Sequence, residues 1–121
     1  IGAFFHVPHG LSNAMLLPTV TAFSLESAPE RYADCARAIG AALQSDDTAT
    51  ANAKLVAELR ALNKELEVPS PAEFGIEQER YFELRATMAE QALASGSPGN
   101  NPRVPTVDEL IELYAAVWNQ E

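Results

Sequence analysis

The stretch FFHVPHGLSNAMLLP, residues 4–18, holds both histidines of the chain, His6 and His9. An imidazole can ligate a metal or carry a proton near neutral pH, so chemistry is sought here first. A spacing of three would put both rings on one face of a helix, but Pro8 stands between them. Proline disfavours the helical conformation at the residue before it, here Val7. In an extended segment an odd spacing sends the two side chains to opposite sides. A shared HxxH metal site is therefore not expected, and at most one ring faces a given ligand. His9 has the better position, because it precedes Gly10 and a helix start, where backbone donors are free and the dipole is positive. A neutral imidazole presented there could ligate a metal. One histidine alone does not hold zinc or iron, which take three or four protein ligands. The competing reading is that His9 only completes the turn into the helix. With no further histidine to serve as base, a nucleophilic triad is excluded. No GxGxxG and no P-loop are present.

The elements that must carry these residues read as helices. Alanine and leucine dominate and β-branched residues are sparse, which favours helix over strand. The first helix is expected from about Gly10 to Ser24; it is apolar on nearly every side, as in a helix buried within a larger protein. Pro18 lies inside it, removes one backbone donor and is expected to kink the axis. The second is PERYADCARAIG, begun by Pro29 and stopped by Gly40. Its apolar face is expected to be Tyr32, Cys35, Ala36 and Ile39, with Cys35 packing as a small buried hydrophobe. The third is expected from about Thr48 to Leu66, capped by Asp46 or Asp47, with a stripe of Leu55, Leu59, Leu62 and Leu66, and ended by VPSP. The fourth is expected from about Glu77 to Ala94, with Tyr81, Leu84, Met88 and Ala92 on one face. After the loop SGSPGNNPRVP, the fifth starts at Thr106, where TVDE is a capping box of Thr106 and Glu109. Its face is Leu110, Leu113, Tyr114 and Val117. The expected architecture is a single all-α domain over residues 1–121, a compact helical bundle.

The chain has 121 residues, 47% of them hydrophobic, enough to bury a core. Its formal net charge is −9, and its 8 basic residues are scattered, so neither nucleic acid nor an anionic membrane surface is an expected partner. The single cysteine excludes a disulfide framework and fits a reducing, cytoplasmic setting. No apolar stretch is long enough to cross a bilayer, and the start lacks the charge and cleavage pattern of a signal peptide. The chain opens at Ile1 within an apolar run, from which we expect a piece of something longer.

Two segments together carry a resemblance. GAFFHVPHGLSNAMLLP resembles the motif region of the iron-dependent (group III) alcohol dehydrogenases. SGSPGNNPRVPTVDELIELYAAVW resembles that family's closing stretch, with its Asn-Pro-Arg-x-Pro-Thr turn before the last helix, and APERYADCARAIG resembles the helix after the motif. The resemblance covers nearly all of the chain. It implies the C-terminal helical domain of a dehydroquinate synthase-like two-domain fold, with an N-terminal α/β domain that binds NAD or NADP and is absent here.

In such enzymes a divalent metal, usually iron and alternatively zinc, is held by one aspartate and three histidines. The histidine of the Pro-His-Gly motif is the last of these, which implies His9 as a metal ligand. His6 falls on a variable position and is not implied. The metal polarises an alcohol oxygen and a hydride passes to the nicotinamide. The other ligands and the nicotinamide site would lie outside this chain, so the isolated chain is expected to bind no cofactor and to be inactive. With His9 as ligand, Asn13, one helical turn on, could hold its ring from behind; the rival reading is a local helix cap. Several family members carry a cysteine near the substrate four residues before the motif asparagine. Ser97 stands there in this chain, at the implied edge of the substrate pocket.

The implied function is therefore part of a metal-dependent NAD(P) alcohol dehydrogenase acting on small primary alcohols, diols or aldehydes. Two other readings stand beside it. One is the maleylacetate reductase class, which shares the fold and lacks the metal. The other is a free-standing helical interaction or self-association module without catalysis, using the apolar first helix as its surface. The oligomeric state is left open by the sequence, with a homo-oligomer formed by dimerisation or helix swapping through the first helix as one option.

Overall fold

A computed structural model describes residues 1–120. The first turn, Gly2–Phe5, is a helix (α1) beyond the five expected, and His6 ends it in the left-handed conformation at φ 56°. Its backbone N–H donates to the Gly2 carbonyl at 2.9 Å. Histidine is among the few side chains that tolerate this region, so His6 has a structural job. A Cβ at Gly2 would sit 2.9 Å from the Val7 carbonyl, so the return of the chain over α1 requires glycine there.

Helix α2 spans His9–Ser24, one residue earlier than expected, with Pro8 as its N-cap. Pro8 sits at φ −53° and ψ 142°, and its carbonyl accepts from the Ser12 N–H at 2.9 Å, which closes the first turn. The inner face of α2 is not the apolar surface that was expected. It buries Ser12, Thr19, Thr21 and Ser24 beside Met15 and Pro18, while Leu17 is 47% exposed. Short hydroxyl side chains can be buried because they bond to nearby backbone: Ser24 Oγ donates to the Val20 carbonyl at 2.7 Å.

Pro18 leaves the Ala14 carbonyl without the N–H that the next turn normally supplies. A donor arrives from elsewhere: Asn63 Nδ2 donates to the Ala14 carbonyl at 2.8 Å. Beside it, Gln120 Nε2 donates to the Met15 carbonyl at 2.7 Å, and Thr19 Oγ1 donates to Gln120 Oε1 at 2.9 Å. Two amides therefore span the turn that Pro18 opens.

Helix α3 (Pro29–Ala38) packs against α4 (Thr48–Glu65) through small residues. Ala33, Ala36 and Ala51 are fully buried, with Ala42 and Leu55 around them. This corrects the expected face in part. Ala36 is buried and Tyr32 packs against the cluster as expected, but Ala33 joins them, while Cys35 is exposed and Ile39 is 58% exposed. The side chains that fit a close helix pair are the small ones, so the face of α3 is shifted toward Ala33 from its most apolar reading. Asp47 caps α4 by accepting from the Thr50 N–H at 2.7 Å, whereas Asp46 bonds the Leu43 N–H and Lys54. The leucine stripe of α4 is buried only in part, with Leu62 and Leu66 exposed. Glu67, left-handed at φ 56°, ends α4 before VPSP is reached.

A single capped turn, α5 (Pro71–Phe74), follows, and then α6 (Gln78–Ala94) and α7 (Val107–Asn119). The last two pack on each other around Tyr81, which is 0% exposed and donates its hydroxyl to the Tyr114 carbonyl at 2.7 Å. Burial pushes the Tyr81 phenol up from its ordinary value, so it stays a neutral donor. Met15, Val7, Ile76 and Met88 complete this core. Thus α2 lies between two units, touching α4 on one side and α7 on the other. No strand occurs among the described residues, and no described helix is long and apolar enough to cross a membrane.

Candidate metal-ligand site

His9 is the first residue of α2 and its side chain is exposed. One turn along the same face, Asn13 Nδ2 lies 3.2 Å from His9 Nε2. The contact expected from the spacing is therefore formed, and the capping alternative is not, since α2 has no side-chain cap. The contact uses the Nε2 edge of the ring, with the proton's place set by the tautomer and the amide's orientation, and Nδ1 enters no hydrogen bond among the described residues. His6 belongs to a different element, the left-handed end of α1, as the intervening Pro8 required.

The donor set decides what such a site can hold. Imidazole nitrogen suits iron or zinc, and His9 offers one. Among the described residues no group of three or more His, Cys, Asp or Glu side chains is placed to hold a metal ion. His9 therefore does not form a metal site by itself, and its single imidazole fits only as one member of a larger ligand set.

Ser97 opens a 3-10 turn, Ser97–Asn100, that packs against α6. It is exposed, and its N–H donates to Ser95 Oγ at 3.3 Å. No hydrogen bond joins it to His9 or Asn13 among the described residues. An open groove of about 760 Å³ lies between α2 and the end of α4, lined by Met15, Pro18, Asn63, Lys64 and Gln120. None of His9, Asn13 and Ser97 lines it.

The NNPRVPT turn proves to be a clamp between the end of α2 and the start of α7. Arg103 donates to the Phe23 carbonyl at 3.1 Å and to Glu109 Oε2 at 2.6 Å, and its guanidinium stacks 3.9 Å from the centre of the Phe23 ring. It also pairs with the exposed Glu26 at 2.8 Å. A cation there satisfies an orphan carbonyl at the negative end of α2. Asn101 Nδ2 donates to Ser24 Oγ and to the Arg103 carbonyl at 2.8 and 2.6 Å. Glu109 also completes the expected capping box with Thr106.

Fold and site together define an all-helical domain that presents one imidazole at the start of its central helix. The chain matches the family described as Fe-containing alcohol dehydrogenase family, C-terminal, over residues 1–118, and it belongs to that family. It is 32% identical over 119 residues to lactaldehyde reductase of Escherichia coli (strain K12), an alignment covering 98% of this chain and 30% of that protein. It is 31% identical to NADPH-dependent butanol dehydrogenase of Clostridium saccharobutylicum, covering 97% of this chain and 30% of that protein. A crystal structure of 1,3-propanediol oxidoreductase matches with a TM-score of 0.86 at 29% identity, over 96% of this chain and 30% of that one. The chain thus spans about 30% of the length of these relatives.

Proposed function

We propose that this chain is the C-terminal helical portion of an NAD(P)-dependent alcohol dehydrogenase that requires a divalent metal. In the intact enzyme a dinucleotide-binding domain and the remaining ligands come from outside these residues. Its substrates are small primary alcohols or diols and the matching aldehydes, and the chain alone does not turn over. The observation that carries this reading is the His9 ring, held by Asn13 at the open start of α2 within a fold shared with 1,3-propanediol oxidoreductase. Bound iron or zinc supplies Lewis-acid polarisation of the alcohol oxygen. His9 contributes one neutral nitrogen ligand, Nδ1, with the Asn13 amide turned so that its Oδ1 accepts from Nε2–H and sets the rotation of the ring. Ser97 gives the substrate pocket a hydroxyl at its edge.

The test is NAD(P) reduction by the intact enzyme with 1,3-propanediol or 1-butanol, before and after metal removal by a chelator. Turnover that vanishes on chelation and returns with Fe2+ or Zn2+ supports the proposal. Turnover indifferent to chelation removes the metal from it and moves the metal-free reductase class ahead. A finer expectation concerns Asn13. In Asn13→Ala the ring loses its only side-chain partner among the described residues, and metal affinity should fall about 10-fold, the lower end for loss of a group behind a ligand. Unchanged affinity, measured by competition with a chelating dye, would leave Asn13 without a role at the metal.

A further inference from the structure

We infer that Asn63 is a positioning residue for His9, acting through the turn of α2 that Pro18 opens. This rests on the reading of His9 as a metal ligand given above. A proline inside a helix removes one hydrogen bond and weakens the hold of the first half on the second. In α2 the half before Pro18 carries His9 and Asn13 at its free end. That half is tied back to the body of the domain by the Asn63 amide on the Ala14 carbonyl and the Gln120 amide on the Met15 carbonyl. Both carbonyls lie in the turn just before the proline.

The lever is long compared with what a metal tolerates. His9 precedes Pro18 by nine residues, or about 14 Å of helix at 1.5 Å per residue. A tilt of about 10° at the proline would swing His9 by about 2 Å, while ligand distances are held to about 0.2 Å. The direction of the first half of α2 must therefore be set to within a degree or two. Asn63 is well placed to set it. Its backbone is fixed in the last full turn of α4, where its carbonyl accepts from the Val68 N–H at 2.8 Å. Its side chain reaches across to the one carbonyl that the proline itself leaves free.

The test uses Co2+ as probe in the intact enzyme, reading the dissociation constant and the visible spectrum of the bound ion. Asn63→Asp keeps the shape and loses the donor. It should weaken Co2+ binding about 10-fold, in the range seen when ligand support is lost, and should change the spectrum. Asn52→Ala is the control. It removes a comparable amide, which bonds the Pro29 carbonyl at 3.0 Å between α3 and α4, and it should leave Co2+ binding unchanged. In a Pro18→Ala background residue 18 regains its N–H, and adding Asn63→Asp should then shift binding less than twofold.

The outcomes separate the two ideas. If His9→Ala leaves Co2+ binding intact, the ligand reading falls and this inference with it. If His9→Ala abolishes binding and Asn63→Asp does not weaken it, the ligand reading stands and the positioning role is overturned. An equal loss in Asn52→Ala, or an undiminished effect of Asn63→Asp after Pro18→Ala, also overturns it.

Discussion

His9→Ala in the intact enzyme is expected to lose its metal and keep its fold. The ring is exposed and its hydrogen-bonding partner in the chain is Asn13, itself exposed. Surface substitutions of this kind change stability by about 0.5 kcal/mol or less. The metal has no such indifference. Loss of a group that merely supports a ligand costs about 10- to 100-fold in affinity, so loss of the ligand itself should exceed about 100-fold. Activity should fall by about 1,000-fold or more, the equivalent of the several kcal/mol that Lewis-acid polarisation supplies. Metal content after dialysis and a melting curve of the metal-free protein read the two effects separately. A variant that dialyses with its metal in place would show that His9 is no ligand. A variant that unfolds would show that the ring has a structural duty that its contacts do not reveal.

The helices were legible where local chemistry alone decides them. The TVDE capping box and Pro29 at the start of α3 follow from cap and proline rules that act within one turn. The reach of Asn13 to His9 is of the same kind, because a spacing of four on a helix fixes the distance. The faces were less legible. Of the most apolar stripe of α3, Tyr32 and Ala36 face α4, but Cys35 and Ile39 do not, and Ala33 takes their place. Hydrophobicity reports what gains from burial, but not how closely two helices approach, and close approach selects alanine. The left-handed end of α1 at His6 and that of α4 at Glu67 carry no glycine to announce them.

Pro18 is a middle case. Its presence announced a free carbonyl at Ala14, but nothing local could say that Asn63, far along the chain, would answer it. The same limit applies to the clamp. NNPRVPT was readable as a family signature, while its partners on α2 became visible only when the chain was folded.

Arg103→Ala should be the most destabilising single change outside the apolar core. It strips the Phe23 carbonyl of its donor, removes the stack on the Phe23 ring and leaves Glu109 without its cation. A hydrogen bond from a charged donor contributes about 1.5–3 kcal/mol and a stacked cation about 0.5–1 kcal/mol more. The pair with exposed Glu26 adds little. Because Arg103 is itself 32% exposed, the expected total is about 2–3 kcal/mol. At about 4 °C per kcal/mol for a domain of this size, the melting midpoint should drop by about 8–12 °C. Arg103→Lys keeps the charge and loses the planar fork, so it should recover less than half of the loss. Full recovery by lysine would reduce the clamp to a point charge.

The clamp also has a pH signature. The Thr106 N–H, and after it the Arg103 guanidinium, hold the Glu109 carboxyl below its ordinary value. A carboxyl that is more acidic in the folded state stabilises the fold above the ordinary carboxylate range, about 4. That contribution is lost as the pH falls through the lowered folded value. Glu109→Gln should therefore be less stable than the parent at pH 7, and the two should converge on acidification below about pH 4. A constant gap across that range would mean that the charge on Glu109 is not what binds α7 to α2.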